Sequence, residues 1–209
     1  MNFVFENKYW QTDNIVVGVV DLIKTVQRQG MNVMEIGCNY GDTVYGYIDI
    51  IKQNEGTLYA IDTFQGSILD DGRDYQGSKY HFGSWNTNMY DSFQNRFYKY
   101  KNNLKVFKGF SHDIIPNLPD DYFDLIFIDG DHRYEGVKKD IELCLPKMKK
   151  GGILCGHDCE NFDHVNTYSE YEFNQDTARG THAGVCQAVY DTLGKIRIIQ
   201  PSTWVFPIQ

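Results

Sequence analysis

Five short apolar runs, Asn32 to Ile36, Thr57 to Asp62, Leu104 to Phe107, Phe123 to Ile128 and Gly152 to Cys155, alternate with stretches of helical periodicity. Runs that stay apolar at consecutive positions suit strands covered on both faces, which is how parallel strands occur. The amphipathic stretches lie at about 13–29, 42–54, 88–100, 134–147 and 183–193. This βα repeat predicts a mostly parallel sheet with helices on both faces and right-handed crossovers. Near the C-terminus, Lys195 to Ile199 and Thr203 to Phe206 flank Gln200-Pro201-Ser202 and predict an antiparallel strand pair that completes a seven-stranded α/β sheet. Two polar stretches rich in Gly, Tyr, Asp and Asn, about 64–87 and 159–182, are too long for plain connectors and are expected to border a site on its acceptor side. With no repeat, low-complexity tract or linker in view, residues 1–209 are expected to form a single domain.

The charge balance narrows the partners. Lys+Arg 20 against Asp+Glu 28 gives a net charge of -8, which lacks the global cationic footprint that phosphate binding needs. No nucleic-acid partner is expected. No apolar run approaches the length of a membrane span, so no membrane partner is expected either. Five Cys without paired spacing, and Met1 to Trp10 without a basic-then-apolar pattern, point to a reducing, cytoplasmic setting. A small-molecule or glycan acceptor is the expected partner, and homo-oligomerisation is left open.

Glu35-Ile36-Gly37-Cys38-Asn39-Tyr40-Gly41 follows the first predicted strand and leads into a helix near Asp42. Glycines there let the backbone turn sharply and approach a ligand, and a helix amino terminus offers unpaired N–H groups. A pyrophosphate binder usually shows G-x-G-x-x-G, whereas here an acid precedes two glycines spaced four apart. That pattern suits a cationic, phosphate-free ligand. Asp62 ends the second strand, where Rossmann-like folds place an acid on ribose hydroxyls.

Together with Phe127-Ile128-Asp129-Gly130-Asp131-His132 and Gly151-Gly152-Ile153-Leu154-Cys155-Gly156-His157-Asp158, these motifs resemble the class I S-adenosylmethionine-dependent methyltransferases over about residues 30–200. The Ile-Asp-Gly-Asp-His segment, followed by Tyr134 and Asp140, is similar to a metal-dependent branch that includes macrolide-sugar, aminocoumarin-sugar and cephamycin-pathway methyltransferases. The resemblance implies a Rossmann-like methyltransferase fold. It implies that Glu35, Gly37, Cys38, Tyr40 and Gly41 line the methionine end of S-adenosyl-L-methionine, and that Asp62 and Thr63 reach the ribose. Phe64 would pack by the adenine, with Gly109, Ser111 and His112 beside the same ring.

Ligands in an open α/β sheet bind at the carboxyl ends of the strands, so Asp129 to His132 and His157-Asp158 should share one crevice. An alcohol acceptor needs help to lose its proton, which a carboxylate-held divalent metal and a nearby imidazole supply. In the resembling branch an Asp three residues before a His ligates the metal and the His is the base. That carries over to Asp129 and His132, with Asp131 as the alternative base. An acidic pair after the fifth strand completes the metal site in several members and matches His157-Asp158. Here the sequence departs, since His157 stands where those members carry Glu, which brings manganese or another transition metal in beside magnesium. Cys155, His157 and Cys159 alternate along the strand and offer a weaker zinc reading.

On the acceptor side, Tyr75, Tyr80, His81, Phe82, Trp85 and Tyr90 fall in or beside the first loop, and Tyr168 and Tyr171 in the second. Aromatic faces with polar neighbours suit sugars or aromatic rings. The reading is O-methylation of a sugar, glycan or glycosylated metabolite. A catechol or phenol acceptor, and a non-catalytic cofactor-binding protein of the same fold, are its alternatives.

Overall fold

The computed structural model describes residues 13–65, 89–163, 165–199 and 202–209. Its strands are β1 (Asn32–Ile36), β2 (Thr57–Asp62), β3 (Leu104–Lys108), β4 (Phe123–Ile128), β5 (Met148–Gly156), β6 (Arg197–Ile199) and β7 (Thr203–Pro207). The helices are α1 (Asp13–Val26), α2 (Asp42–Gln53), α3 (Met89–Arg96), α4 (Ser111–Ile114), α5 (Tyr134–Cys144), α6 (Glu170–Phe173) and α7 (Ala183–Leu193). One seven-stranded sheet runs in the order β3-β2-β1-β4-β5-β7-β6. The first five strands are parallel, and β7 joins β5 and β6 antiparallel. This is the Rossmann-like methyltransferase arrangement, with the C-terminal strand pair where the sequence predicts it.

The period of two along each strand sorts side chains to two cores. Val33, Leu58, Ala60, Leu125 and Phe127 face α1, α2 and α3, where Val19, Ile23, Val44, Ile48 and Phe93 meet them. Met34, Ile36, Ile61, Ile126 and Ile128 face the other way, onto Val137, Ile141, Val185 and Val189 of α5 and α7. All six residues of β4 are buried: Leu125 to Ile128 form an unbroken apolar run, and Asp124 is held by Arg28, Lys149 and the Asn32 N–H. In α2, Val44, Tyr47, Ile48 and Ile51 recur at helical spacing and form its buried face.

Two short helices escape a periodicity reading. Four-residue α4 and α6 are too brief to show an apolar period. A capping box names α6: the Ser169 hydroxyl accepts from the Glu172 N–H and the Glu172 carboxylate accepts from the Ser169 N–H. No helix among the described residues is long and apolar enough to cross a membrane.

Candidate active site

Where β1 leaves the sheet, its last carbonyl, Ile36 O, accepts from the Asp129 N–H at 2.9 Å, and the Gly37 N–H donates to Ile61 O at 2.9 Å. Gly37 takes φ +86, and a Cβ there would stand 1.9 Å from the Asp129 carbonyl oxygen. The glycine is therefore demanded by the passage of the β4 end behind it. Gly41 takes φ +82, and its Cβ would fall 2.3 Å from the Phe97 ring. Both glycines are first of all packing residues, and the concave loop they permit opens at the amino end of α2.

Asp62 ties this loop together. Its Oδ2 accepts from the Asn39 N–H at 2.7 Å and its Oδ1 from the Phe64 N–H at 2.6 Å. A carboxylate offers about four lone-pair positions, so each oxygen retains capacity for a hydroxyl. Next to it, Thr63 Oγ1 accepts from the Gln65 N–H at 3.3 Å. The Tyr40 carbonyl accepts from Arg96 at 2.9 Å. Cys38 is buried with its thiol against the Glu35 carbonyl at 3.3 Å, and burial pushes that thiol well above its ordinary range, which makes it unreactive.

Three residues that the resemblance puts beside the adenine have partners of their own in this structure. Phe64 turns into the core, its ring 5.2 Å from Tyr90 and 5.3 Å from Phe93. Ser111 donates to Asp140 at 2.5 Å, which ties α4 to α5 beyond Gly109. Half-exposed His112 stacks on Phe110. Asp140 is buried, and burial pushes its carboxyl up to about 7 against the opposing Ser111 bond.

Glu35, before the loop, is buried and bonded within the protein. Its side chain is 1% exposed and accepts a short hydrogen bond from the Tyr47 hydroxyl of α2. Burial, reinforced by Asp129 and Asp62, raises its pKa to about 8. The protonated form is thus the stable one at neutral pH. A carboxyl whose folded pKa lies above its unfolded value binds more protons when folded, so its stabilising contribution is full below about 4.5 and is lost as pH rises towards 8. Denaturant unfolding of the ligand-free protein is expected to lose a few kcal/mol across that window, on the order of 1.4 kcal/mol per pH unit. Glu35→Gln should flatten the profile, and an equally steep one in the variant would exclude Glu35 as its source.

The chemistry gathers where β4 and β5 end. Ile128 pairs with Gly156, so the residues after each emerge side by side, and the His157 N–H donates to Ile128 O at 3.0 Å. Gly156 is required there, because its Cβ would stand 2.5 Å from both Ile128 O and the Trp204 ring. Asp129, His157 and Asp158 each bring a donor atom within 4.8 Å of the others. His157 Nδ1 lies 2.8 Å from Asp158 Oδ1 and 3.8 Å from Asp129 Oδ1, and its Nε2 meets the Ser202 hydroxyl at 2.9 Å.

Asp158 sits at φ +59, a left-handed turn that swings its carboxylate between histidines. Its Oδ2 is 3.1 Å from His132 Nε2, and Oδ1 is 3.5 Å from His182 Nδ1. Outside these lie Asp176, 2.7 Å from His132 Nδ1, and Glu160, 2.7 Å from His182 Nδ1. Burial pushes the Asp158 carboxyl up, but bonds from His132 and His157 outweigh it and hold the group well below the carboxylate range. Burial likewise opposes the charged form of His132, yet Asp158 and Asp176 on its two nitrogens raise it well above an ordinary imidazole. Asp129 shows the reverse balance, since burial raises it despite His157 and His132 nearby.

Asp131 is not part of this cluster. Its carboxylate is forked onto the Arg133 guanidinium at 2.9 and 2.7 Å and also accepts from the Arg133 N–H, an arrangement local to the turn into α5. Cys155 and Cys159 fall in opposite cores, and neither belongs to a metal-capable group among the described residues. A small open cleft is lined by Asp129, Asp131, His132 and His157 together with apolar Val185 and Trp204.

The sequence reading misses Glu160, Asp176 and His182. All belong to the second long stretch, whose length signals a functional loop without marking its ligands. A small open cleft beside this stretch is lined by Glu160, Tyr168, Phe173 and Thr181, and Tyr171 is exposed. In the first loop, Tyr75, Tyr80, His81, Phe82 and Trp85 lie outside the described residues.

Residues 34–159 match the model of a family described as a methyltransferase domain. The uncharacterized protein y4gI of Sinorhizobium fredii (strain NBRC 101917 / NGR234) is 22% identical over 134 residues, 63% of this chain. The chain spans 13% of that relative's length. Among solved structures, the O-methyltransferase NovP superposes with a TM-score of 0.61 at 18% identity, covering 94% of this chain and 78% of its own. CalS11, a TDP-rhamnose 3'-O-methyltransferase of calicheamicin biosynthesis, gives 0.58 at 16% identity, covering 93% and 79%. The Podospora anserina methyltransferase PaMTH1, solved with S-adenosylhomocysteine, gives 0.62 at 12% identity, covering 96% and 80%.

Proposed function

Because the chain belongs to the methyltransferase-domain family and is an S-adenosylmethionine-dependent methyltransferase, we propose that it methylates a hydroxyl oxygen of a sugar, glycan or glycosylated metabolite with help from a divalent cation. The observation that carries the reading is the convergence of Asp129, His157 and Asp158 on one point beside His132. Two carboxylate oxygens and one imidazole nitrogen form a donor set that fits a divalent ion, and the imidazole favours manganese or another transition metal over magnesium. Such an ion lowers the pKa of an acceptor hydroxyl and orients it.

The chain's own residues do the rest. The loop from Gly37 to Gly41 and the Asp62 carboxylate form the cofactor crevice, and S-adenosylmethionine supplies a sulfonium methyl open to in-line displacement. His132, held on Nδ1 by Asp176, presents Nε2 to the cleft and would take up the hydroxyl proton if Asp158 were engaged by a cation. Asp131 is the weaker base because Arg133 already occupies it. Tyr168 and Phe173, with Glu160 and Thr181, give the acceptor side a mixed aromatic and polar lining that suits a sugar. The activity named for CalS11 points to the same acceptor class.

A product-release assay on sugars, glycans and catechols, with manganese, magnesium or EDTA, tests the reading. Methylation of a sugar hydroxyl that EDTA abolishes is the expected result. Metal-independent turnover would remove the cation from the mechanism, and turnover on catechols alone would replace the acceptor class.

A further inference from the structure

We infer that His132, Asp158 and His182 form a second cation site, suited to a transition-metal ion and sharing Asp158 with the Asp129–His157–Asp158 set. One donor atom from each of the three lies within 4.8 Å of the other two. Two imidazoles and one carboxylate are a donor set that selects manganese, iron, cobalt or zinc over magnesium, which prefers oxygen.

An independent feature points the same way. A metal-ligating histidine characteristically gives its other ring nitrogen to a carboxylate, which fixes tautomer and orientation. His132 shows this, its Nδ1 meeting Asp176 at 2.7 Å, while His182 Nδ1 lies between Glu160 at 2.7 Å and Asp158 at 3.5 Å. Glu160 is held further by the His182 N–H at 3.2 Å to each oxygen. With Nδ1 committed to Asp176, Nε2 is the inward donor of His132 and already lies 3.1 Å from Asp158 Oδ2, and His182 turns its Nδ1 toward the same carboxylate at 3.5 Å. The rings stand edge to face at 4.8 Å between centroids, close enough for one ion to reach both. Asp158 has one oxygen toward His157 and the other toward His132, which is the disposition of a carboxylate that bridges two ions.

The second site uses the nitrogen that the proposed function assigns to proton uptake, so its occupation is inhibitory. A transition metal should therefore activate at the first equivalent and inhibit beyond it. This kinetic consequence rests on the proposed function, whereas the site itself does not.

The deciding experiment is equilibrium dialysis of the full chain, free of cofactor and acceptor, against Co²⁺, with metal per chain from elemental analysis and the visible absorption of the bound ion. Two cobalt ions per wild-type chain, falling to one in His182→Ala, are expected. An equal number of bound ions in the wild type and in His182→Ala would overturn the site, whereas one ion in the wild type and none in the variant would keep this site and remove the Asp129 set. Should His182→Ala not fold, Glu160→Gln serves instead. It keeps both ligating nitrogens and should weaken the second ion about ten- to hundred-fold, and unchanged affinity would equally overturn the inference. Stoichiometry is read without turnover, so failure of the proposed function and failure of this site are told apart.

Discussion

Asp129→Ala is expected to lower turnover about 10³-fold while leaving S-adenosylhomocysteine affinity within about threefold. The magnitude follows from the several kcal/mol that a cation contributes at a reacting oxygen, at about 1.4 kcal/mol per tenfold in rate. The selectivity follows from the geometry. Only the Asp129 side chain enters the donor set, whereas the backbone carbonyl that packs on Gly37 and the N–H that bonds Ile36 remain in alanine. The variant should also fold at least as well as the wild type, because burial already disfavours the Asp129 carboxylate. Calorimetric titration with S-adenosylhomocysteine, beside single-turnover rates at saturating manganese, makes the comparison. Equal rates in variant and wild type would remove Asp129 from the reaction. A parallel loss of cofactor affinity would show instead that the side chain supports the loop.

The sheet was legible because its physics is local to the sequence. A fully buried parallel strand reads as an apolar run, as in Leu125 to Ile128, and a helix packed on one side reads as Val44, Tyr47, Ile48 and Ile51. The strand ends also gave Asp129, His132, His157 and Asp158, since topology alone brings the carboxyl ends of neighbouring parallel strands together. Beyond that point the signal stops. Asp176 and His182 reach His132 and Asp158 from a loop whose path no periodicity encodes. Asp131 stands in the motif as the alternative base, yet Arg133 two positions on occupies it. The burial of Glu35, which raises its pKa, and its bond to Tyr47 on the packed face of α2 have no mark in the sequence around it. Charge state is a property of surroundings, and those surroundings are assembled from distant parts of the chain.

Gly37→Val should be the most destabilising single change in the loop, with a loss on the order of 4 kcal/mol or more. Two costs add. A β-branched side chain at φ +86 is strained by about 1–2 kcal/mol before any contact is counted. Its Cβ would also meet Asp129 backbone atoms at 1.9 and 2.4 Å and Gly130 Cα at 2.8 Å, none of which is the yielding tip of a side chain. Relief requires β1 and β4 to part at the ends that carry the cofactor loop and Asp129. Gly30→Val isolates the first cost, since Gly30 has φ +68 with no atom within 4 Å of the added Cβ. Urea unfolding of the two variants is expected to place Gly30→Val about 1–2 kcal/mol below the wild type and Gly37→Val several kcal/mol lower still. Equal midpoints would mean that Gly37 serves backbone conformation alone. A stable Gly37→Val that binds no S-adenosylhomocysteine would mean that this glycine is kept for the ligand's approach rather than for the passage of β4.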